Sequence, residues 1–202
     1  MYRTLRAQLR AGDAAAFGQV FDDHARDVFR HALRTTGSWS TAEDVVSLTF
    51  CEAWRLREGV QPDGGSVRPW LLGIAANVLR NTRRAARRHS AALARMRIEP
   101  VPDFADEVAD RMRDADRLAA AVAALHRLRP AEREVFTLCV WSGLDYAQAA
   151  EALGVPIGTV RSRLSRARTK LRDLTERELA QPRGQEQGGR VNAARSHQEE
   201  IR

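Results

Sequence analysis

The stretch Ala147–Arg172, AQAAEALGVPIGTVRSRLSRARTKLR, constrains the fold more than any other part of the chain. Its pattern predicts a short Ala-rich helix up to Leu153, a sharp turn, and a second helix that begins near Ile157–Thr159. Gly154 stands where a left-handed residue would end the first helix, and glycine adopts that conformation without steric cost. Pro156 prevents the first helix from continuing. The segment is therefore predicted to form a helix-turn-helix.

The second helix of this motif is predicted to have one apolar and one basic face. Its apolar residues recur at helical spacing. They are Val160, Leu164, Ala167, Leu171 and Leu174. Six basic residues and no acidic residue lie between Arg161 and Arg172. Arg can pair with guanine, and Ser and Thr can reach bases or phosphates, so the polar face suits the major groove of DNA. The alternative is an ordinary solvated basic helix, but the Gly–Pro turn behind an Ala-rich helix favours DNA reading.

Composition indicates a helical protein that binds a polyanion. The chain has 202 residues, a length that fits one larger or two small domains. Its net charge of +7 predicts a polyanionic partner without identifying it. No stretch alternates apolar and polar residues long enough to predict a strand, so the fold is expected to be all-α.

Other classes of protein are disfavoured by what the sequence lacks. No apolar run approaches the roughly 20 residues that span a bilayer, and no signal-peptide core is visible. We therefore expect a cytoplasmic protein without membrane insertion. Cys51 and Cys139 lie in apolar helical patterns, where free cysteine behaves as a small hydrophobe. His24 and His31 have no Cys or carboxylate at ligand spacing, and no CxxC motif occurs, so neither a metal nor another cofactor is expected.

Two long helices are predicted before residue 60. Asp13 is predicted to cap a helix over Ala14–Thr36, which Gly37 ends. Ser40 opens an S-x-x-E capping-box pattern, so the next helix is expected to begin at about Thr41. One face of this second helix is apolar. Its other face is either a solvated surface or a contact for a partner, and the residue chemistry alone leaves both open.

The segment Trp70–Arg88 changes from apolar to basic along its length. It follows a Gly- and Pro-rich loop, Gly59–Pro69, and its first half is apolar nearly all round, so that half is expected to be buried. A polar strip then lies within one arc of the helix. Its members are Gly73, Asn77, Arg80, Asn81, Arg84 and Arg88. Asn pairs with adenine edges and Arg with phosphate or guanine, which suits a nucleic acid. The alternative is a basic helix end favoured by the helix dipole, and this segment alone does not decide between them.

The chain is predicted to divide into two small helical domains joined by a flexible linker. The first domain comprises residues 1–90. Residues 91–116 contain two prolines and seven acidic residues and are predicted to form the linker. Residues 117–178 hold four short helices, the last two being the helix-turn-helix. Residues 179–202 have almost no large apolar side chains and are expected to be disordered.

Three motifs together resemble one family. They are AEDVVSLTFCEAWR, RPWLLGIAANVLRNTRRAARR and LHRLRPAEREVFTLCVWSGLDYAQAAEALGVPIGTVRSRLSRARTKLR. In this order and spacing, over about residues 5–176, they resemble the extracytoplasmic-function (ECF) sigma factors of bacterial RNA polymerase. Response regulators share a related helix-turn-helix, but they would not carry the first two motifs.

The resemblance implies a transcription initiation factor that binds core RNA polymerase and recognises and helps to melt promoter DNA. The helix-turn-helix would read the minus-thirty-five element as duplex through Thr159, Arg161, Ser162, Ser165, Arg166, Arg168, Thr169 and Arg172. The polar strip and the preceding loop would hold the minus-ten element as single strand, with Asn77, Arg80, Asn81, Arg83 and Arg84 as contacts. The polymerase would be bound through Asp44, Ser47, Phe50 and Trp54. The sequence departs from the family pattern at Ser47 and Leu48, where Gln-Glu or similar polar residues are expected. Members of the family are usually held inactive by an anti-sigma factor, which is a further expected partner.

Two other functions remain as alternatives. A stand-alone helix-turn-helix regulator would need a dimer interface for two half-sites, and no heptad seam is apparent. An enzyme would need catalytic residues, yet no Gly-rich phosphate loop, metal-ligand cluster or Ser/His/Asp arrangement stands out. We therefore expect no catalytic residue and no small-molecule substrate.

Overall fold

The computed structural model describes residues 4–96 and 121–180, and all regular structure in these two ranges is helical. The helices of the first range are α1 (Leu5–Arg10), α2 (Ala14–Thr36), α3 (Trp39–Leu56) and α4 (Arg68–Met96), with a short 3₁₀ turn at Arg57–Gly59 after α3. Those of the second range are a segment at residues 121–126, α5 (Pro130–Phe136), a π-helical turn (Thr137–Trp141), α6 (Tyr146–Leu153) and α7 (Ile157–Ala180). The all-α prediction is confirmed.

The boundaries of α2 follow the predicted signals. The carboxylate of Asp13 accepts hydrogen bonds from the backbone N–H groups of Ala15 and Ala16, which would otherwise lack partners at the helix start. Gly37 ends the helix in the left-handed conformation, with φ of 73°. Asp13 and Gly37 therefore bound α2 as the sequence predicted.

The predicted start of α3 lies two residues too far along the chain. Ser38, not Ser40, is the N-cap, because its hydroxyl accepts a hydrogen bond from the backbone N–H of Thr41. The helix therefore begins at Trp39. Glu43, the expected capping-box partner, instead accepts a hydrogen bond from the indole N–H of Trp39 at 3.1 Å.

α4 is longer than predicted at both ends. It begins at Arg68, with Pro69 in its first turn, and continues to Met96, six residues into the range predicted as linker. The rest of the predicted linker and nearly all of the predicted disordered tail lie outside the described residues. The first half of α4 is buried as expected: Leu71, Leu72 and Ala75 are each at most 1% exposed.

The first hydrophobic core forms where α1, α2, α3 and the first half of α4 meet. Its buried side chains include Leu9, Val20, Val28, Val45, Phe50, Ala53, Leu71, Ile74 and Leu79. Phe50 packs edge-to-face against Phe17 and Phe21 of α2, with ring centroids 6.2 and 4.8 Å apart. This core fixes the direction of α4, so the polar second half of that helix projects from a rigid base.

A second core lies around the helix-turn-helix. Its buried side chains include Val135, Leu138, Leu144, Ala149, Val160 and Leu164, and the adjoining cluster adds Leu125, Leu128 and Ala167. The guanidinium of Arg133 is buried here and donates to the carbonyl oxygens of Leu125, His126 and Leu128, which joins the segment at residues 121–126 to α5. α5 passes directly into the π-helical turn at Thr137–Trp141.

The two cores are in contact through α4. Leu72, on α4, belongs to the second core although its neighbours Leu71 and Ile74 belong to the first. Gly73 lies against the backbone of Ala152 in α6. The two helical units, α1–α4 and the segment from residue 121 to α7, therefore pack directly against each other in this structure.

Candidate nucleic-acid interface

The turn between α6 and α7 has the geometry predicted from its glycine. Asp145 caps α6 by accepting from the backbone N–H of Gln148 at 2.8 Å, and the Gln148 side chain accepts from the backbone N–H of Asp145 in return. Gly154 ends α6 with φ of 63°, in the left-handed region. α7 then begins at Ile157. The capping box at the start of α6 and the glycine C-cap at its end thus hold the helix-turn-helix that presents α7.

α7 has one buried and one exposed face. The apolar stripe packs inward: Val160, Leu164 and Ala167 are at most 1% exposed. On the opposite side, the predicted DNA contacts are solvent-exposed except for the half-buried Thr159. The exposed residues are Arg161, Ser162, Ser165, Arg166, Arg168, Thr169 and Arg172. The structure thus brings the eight predicted contacts to one continuous surface, which we call the α7 face.

Two arginines of the α7 face have partners that the sequence pattern did not reveal. The guanidinium of Arg161 lies over the ring of Tyr146 in α6, 5.7 Å from its centroid. Arg166 donates from Nε to Oε1 of Glu132 at 3.3 Å. Tyr146 is thereby placed to orient Arg161, and Glu132 partly offsets the charge of Arg166.

The predicted contacts on α4 have different surroundings. Arg80 donates from Nε and Nη2 to the two carboxylate oxygens of Glu134 at 2.8 Å each, and from Nη1 to Oδ1 of Asn77 at 3.0 Å. Arg83 donates to the backbone carbonyl of Thr35 at 2.8 Å. Asn81 and Arg84 are solvent-exposed. Asn77, Arg80, Asn81 and Arg84 therefore share the side of α4 that borders α5, whereas Arg83 is directed toward the end of α2.

Arg6 holds the loop before α4, a role that the sequence did not indicate. Its side chain is 4% exposed and donates to the carbonyl oxygens of Gly65 at 2.8 Å and Ser66 at 2.6 Å. Nη2 also contacts Oε1 of Glu151 in α6 at 3.0 Å. A buried arginine with three oxygen partners restricts the conformation of this loop.

The predicted polymerase contacts on α3 do not all lie at the surface. Asp44, Ser47 and Trp54 are exposed, but Phe50 is only 5% exposed because the aromatic rings of α2 cover it. The exposed stripe that contains the other three also includes Leu48, 52% exposed. We call these exposed residues, Asp44, Ser47, Leu48, Cys51, Trp54 and Arg55, the α3 stripe. Leu48 stands where the family pattern has a polar residue. This departure is the feature of the sequence that could have indicated the apolar part of the α3 stripe.

Two other kinds of site are absent from the part of the chain that the structure describes. Within residues 4–96 and 121–180, no group of three or more His, Cys, Asp or Glu side chains could hold a metal ion. In the same two ranges, none of the helices combines the length and apolarity needed to cross a bilayer. Cys51 and Cys139 are both free thiols.

Comparison with known proteins gave two family matches that follow the two helical units. The model of Sigma-70 region 2 matches residues 20–89, and that of Sigma-70 region 4 matches residues 118–171. The first range covers α3 and the polar strip of α4. The second covers the helix-turn-helix.

Individual relatives agree with the family matches. The ECF RNA polymerase sigma factor SigL of Mycobacterium tuberculosis is 35% identical over 173 residues, 84% of this chain and 93% of that protein. The sigma factor SigE of Mycolicibacterium smegmatis is 36% identical over 172 residues, 80% of this chain and 63% of that protein. Among solved structures, CnrH in complex with the cytosolic domain of CnrY is 29% identical, covers 86% of this chain and 96% of its own, and has a TM-score of 0.63. RpoE of Bartonella quintana, crystallised with the anti-sigma factor NepR, is 27% identical over 79% of this chain and 96% of its own, with a TM-score of 0.58. The chain therefore belongs to the ECF family of RNA polymerase sigma factors, which direct transcription initiation.

Proposed function

We propose that this sigma factor divides promoter recognition between the α7 face and α4. The observation that carries the proposal is the α7 face itself, a basic and hydroxyl-rich surface opposite an apolar stripe whose residues Val160, Leu164 and Ala167 are buried. Such a helix can enter the major groove with its polar side, and its arginines can reach base edges and phosphates. We assign it to the duplex minus-thirty-five element. The α7 face belongs to a domain that we place at residues 117–178.

α4 is the proposed site for the single-stranded minus-ten element. Melting DNA costs on the order of 1–2 kcal/mol per base step in lost stacking, which contacts to the separated strand must offset. Asn77, Arg80, Asn81 and Arg84 provide amide and guanidinium groups on a helix whose first half is anchored in a core. Arg83 stabilises α4 by its hydrogen bond to the carbonyl oxygen of Thr35 in α2. It can contact the DNA strand only after that hydrogen bond breaks. The domain that carries α4 is placed at residues 1–90.

The α3 stripe is the proposed contact with core RNA polymerase. Asp44, Ser47 and Trp54 are accessible there, and Leu48 adds apolar area. Phe50 contributes indirectly, because it packs α3 against α2 and does not touch the polymerase. We further propose that the protein works in the cytoplasm with the polymerase, without a catalytic reaction of its own. An anti-sigma factor is a proposed partner, since CnrH and RpoE were solved in complex with CnrY and NepR.

A reconstitution tests the proposal as a whole. The purified protein would be mixed with sigma-free bacterial core RNA polymerase and genomic DNA fragments, and transcript start sites would be mapped. We expect discrete starts preceded by two shared sequence elements. Failure to bind core polymerase, combined with specific duplex binding by the protein alone, would instead support a stand-alone regulator, which the comparisons do not favour.

Replacing Arg161 tests the assignment of the α7 face. If the side chain of Arg161 reads a base, Arg161→Ala should weaken binding to cognate promoters by about 1–3 kcal/mol. The variant should also lose its base preference at one position of the upstream element. Arg163→Ala is the matched control, because it removes the same charge from the same helix but at a half-buried position outside the α7 face. Equal losses for both variants on every promoter would show that Arg161 contributes charge alone.

A further inference from the structure

The loop at residues 60–67, which joins the 3₁₀ turn to α4, is irregular backbone whose path is not set by helix hydrogen bonds. We call it the 60–67 loop. Its two ends are anchored, because Val60 and Val67 are at most 3% exposed. Between them, the backbone N–H of Gly64 donates to the carbonyl oxygen of Gln61 at 3.3 Å and closes one turn. The rest of the loop is held by donors from another part of the chain.

Those donors belong to α1 and to Thr4, its N-cap residue. Arg6 is 4% exposed and donates from Nε to the carbonyl oxygen of Gly65 at 2.8 Å. Its Nη2 donates to the carbonyl oxygen of Ser66 at 2.6 Å. The hydroxyl of Thr4 donates to the carbonyl oxygen of Pro62 at 2.8 Å. Hydrogen bonds from an ionised donor are roughly twice as strong as neutral ones, so Arg6 is the main restraint on the 60–67 loop.

The restraint by Arg6 lies within the first helical unit. Arg6 and its two carbonyl partners all belong to that unit. A third partner, Oε1 of Glu151 at 3.0 Å, belongs to the other unit, and its side chain is 47% exposed. An ion pair with an exposed carboxylate contributes little, because water competes for it. The conformation of the 60–67 loop therefore does not depend on the helix-turn-helix unit.

The contacts from α1 leave side chains of the 60–67 loop available to a ligand. The hydrogen bonds from Arg6 and Thr4 end on backbone carbonyl oxygens, whereas the side chains of Gln61 and Asp63 are solvent-exposed. The amide of Gln61 can both donate to and accept from the edge of an unpaired base, and the carboxylate of Asp63 can accept from a base amino group. The loop thus presents polar side chains from a backbone that is already ordered.

Ser66 connects the restrained loop to α4. Its carbonyl oxygen accepts from Arg6, and its hydroxyl accepts from the backbone N–H of Arg68, in the first turn of α4, at 3.2 Å. The loop therefore has a fixed relation to the helix that carries the polar strip. Order that exists before binding lowers the entropic cost of holding a flipped base, so the restraint favours capture of the strand.

We propose that Arg6 is a positioning residue for promoter melting, which holds the 60–67 loop in the conformation that presents Gln61 and Asp63 to a base of the separated strand. The inference rests on the proposed function of α4 as the single-strand site, which this loop adjoins. Arg6 acts through the loop and does not touch the DNA, because its side chain is buried. The Sigma-70 region 2 match begins at residue 20, so the inference gives a role to a helix outside that match.

Gly64→Ala tests the proposal without changing Arg6 itself. A Cβ at Gly64 would lie 2.6 Å from Cζ and 3.0 Å from Nε of Arg6. The guanidinium is the end of a flexible side chain, so the methyl group displaces it from its two carbonyl partners. Gly64 does not have a positive φ, so alanine adds no backbone strain there. Gly65→Ala is the matched control, because it is the next residue of the same loop and its Cβ would meet no atom within 4 Å.

Two substitutions of Arg6 form a graded second test. Arg6→Lys keeps the charge, but a single ammonium group cannot reproduce the planar fork that reaches both carbonyl oxygens. Arg6→Met keeps a long unbranched side chain and removes every donor. The effect on the loop should therefore increase from Arg6→Lys to Arg6→Met. Circular dichroism and urea unfolding establish that each variant is folded under the assay conditions.

The experiment uses the full-length chain bound to core RNA polymerase, on a promoter found by mapping start sites. Permanganate reactivity of unpaired thymines reports the rate of opening. Competition between templates that are already unpaired, with each base in turn at every position of the minus-ten element, reports base preference. We expect Gly64→Ala and Arg6→Met to slow opening about tenfold and to lose the preference at one position, because a misplaced loop no longer fits the base. Arg6→Lys should lie between Arg6→Met and the wild type, and Gly65→Ala should match the wild type.

Two results would overturn the inference. Wild-type opening and base preference in both Gly64→Ala and Arg6→Met would show that the loop does not need Arg6. Slower opening with an unchanged base preference would show that Arg6 only stabilises the fold. The proposed function fails separately: if Asn81→Ala and Arg84→Ala leave strand binding unchanged, the single-strand site is not on α4. A lost base preference in Gly64→Ala would then still support the positioning of the loop by Arg6.

Discussion

His31 should make the stability of this protein fall at mildly acidic pH. The ring is 3% exposed and accepts or donates one hydrogen bond with the Ser142 hydroxyl at 2.9 Å. Burial, followed by the positive charges of Arg83 and Arg68, lowers the pKa of His31 from 6.5 to about 4. Arg68 is itself paired with Asp27 at 2.7 Å, which moderates its effect without removing it. The folded protein therefore holds His31 in its neutral form.

The direction and size of the effect follow from this lowered pKa. The unfolded chain, with His31 near its ordinary pKa, binds the proton more readily than the folded protein does. The stabilisation is therefore complete above about pH 6.5 and is lost as the pH falls from 6.5 toward 4. Between about pH 7.5 and pH 5, this one group should lower the free energy of unfolding by about 2 kcal/mol.

Urea unfolding followed by tryptophan fluorescence measures this loss. The experiment compares the wild type with His31→Asn, whose amide can replace Nδ1 in the contact with Ser142 but does not titrate. The variant should lose about 2 kcal/mol less than the wild type over the same pH range. His24→Asn is the control, since His24 also has a lowered pKa but is partly exposed. If His31→Asn and the wild type show the same pH dependence, His31 is not the group responsible.

Two further predictions concern the helix-turn-helix. Leu164→Ala should reduce the free energy of unfolding by about 2–5 kcal/mol in urea titrations, because Leu164 is 1% exposed and its removal leaves a cavity under α7; a loss below that of an exposed leucine such as Leu48→Ala would contradict the buried position. Gly154→Ala should cost about 1–2 kcal/mol in the same assay, because φ of 63° strains any residue with a Cβ. Gly158→Ala has no such φ and no neighbour within 4 Å, so equal stability of the two alanine variants would refute the turn geometry.

Short-range signals were sufficient to predict most helix boundaries. Asp13, Asp145 and Gly154 each act on backbone groups within a few residues, and each lies in the structure where the sequence placed it. The misplaced start of α3 shows the limit of this reasoning. Ser38 and Ser40 are both chemically able to cap a helix, and the path of the chain after Gly37 decides which one does.

The surroundings of the candidate contacts could not be predicted in the same way. Phe50 was expected to contact the polymerase, but it is buried because two aromatic rings of α2 cover it. Arg80 and Glu134 are 54 residues apart and belong to different helical units, so no periodicity relates them. Helical spacing identifies which side chains share a face of one helix, whereas tertiary packing determines what that face touches.

The two glutamates of α5 make two different kinds of contact, one within a helical unit and one between the two units. Side chains two positions apart on a helix point about 200° apart, so Glu132 and Glu134 face opposite sides of α5. Glu132 faces α7 within its own unit, where it accepts from the side chain of Arg166 and from the backbone N–H of Arg129, each at 3.3 Å. Glu134 faces α4 of the other unit and pairs with Arg80 at 2.8 Å. Because of this geometry, Glu132 lowers the positive charge of the α7 face, whereas Glu134 lowers that of the polar strip on α4.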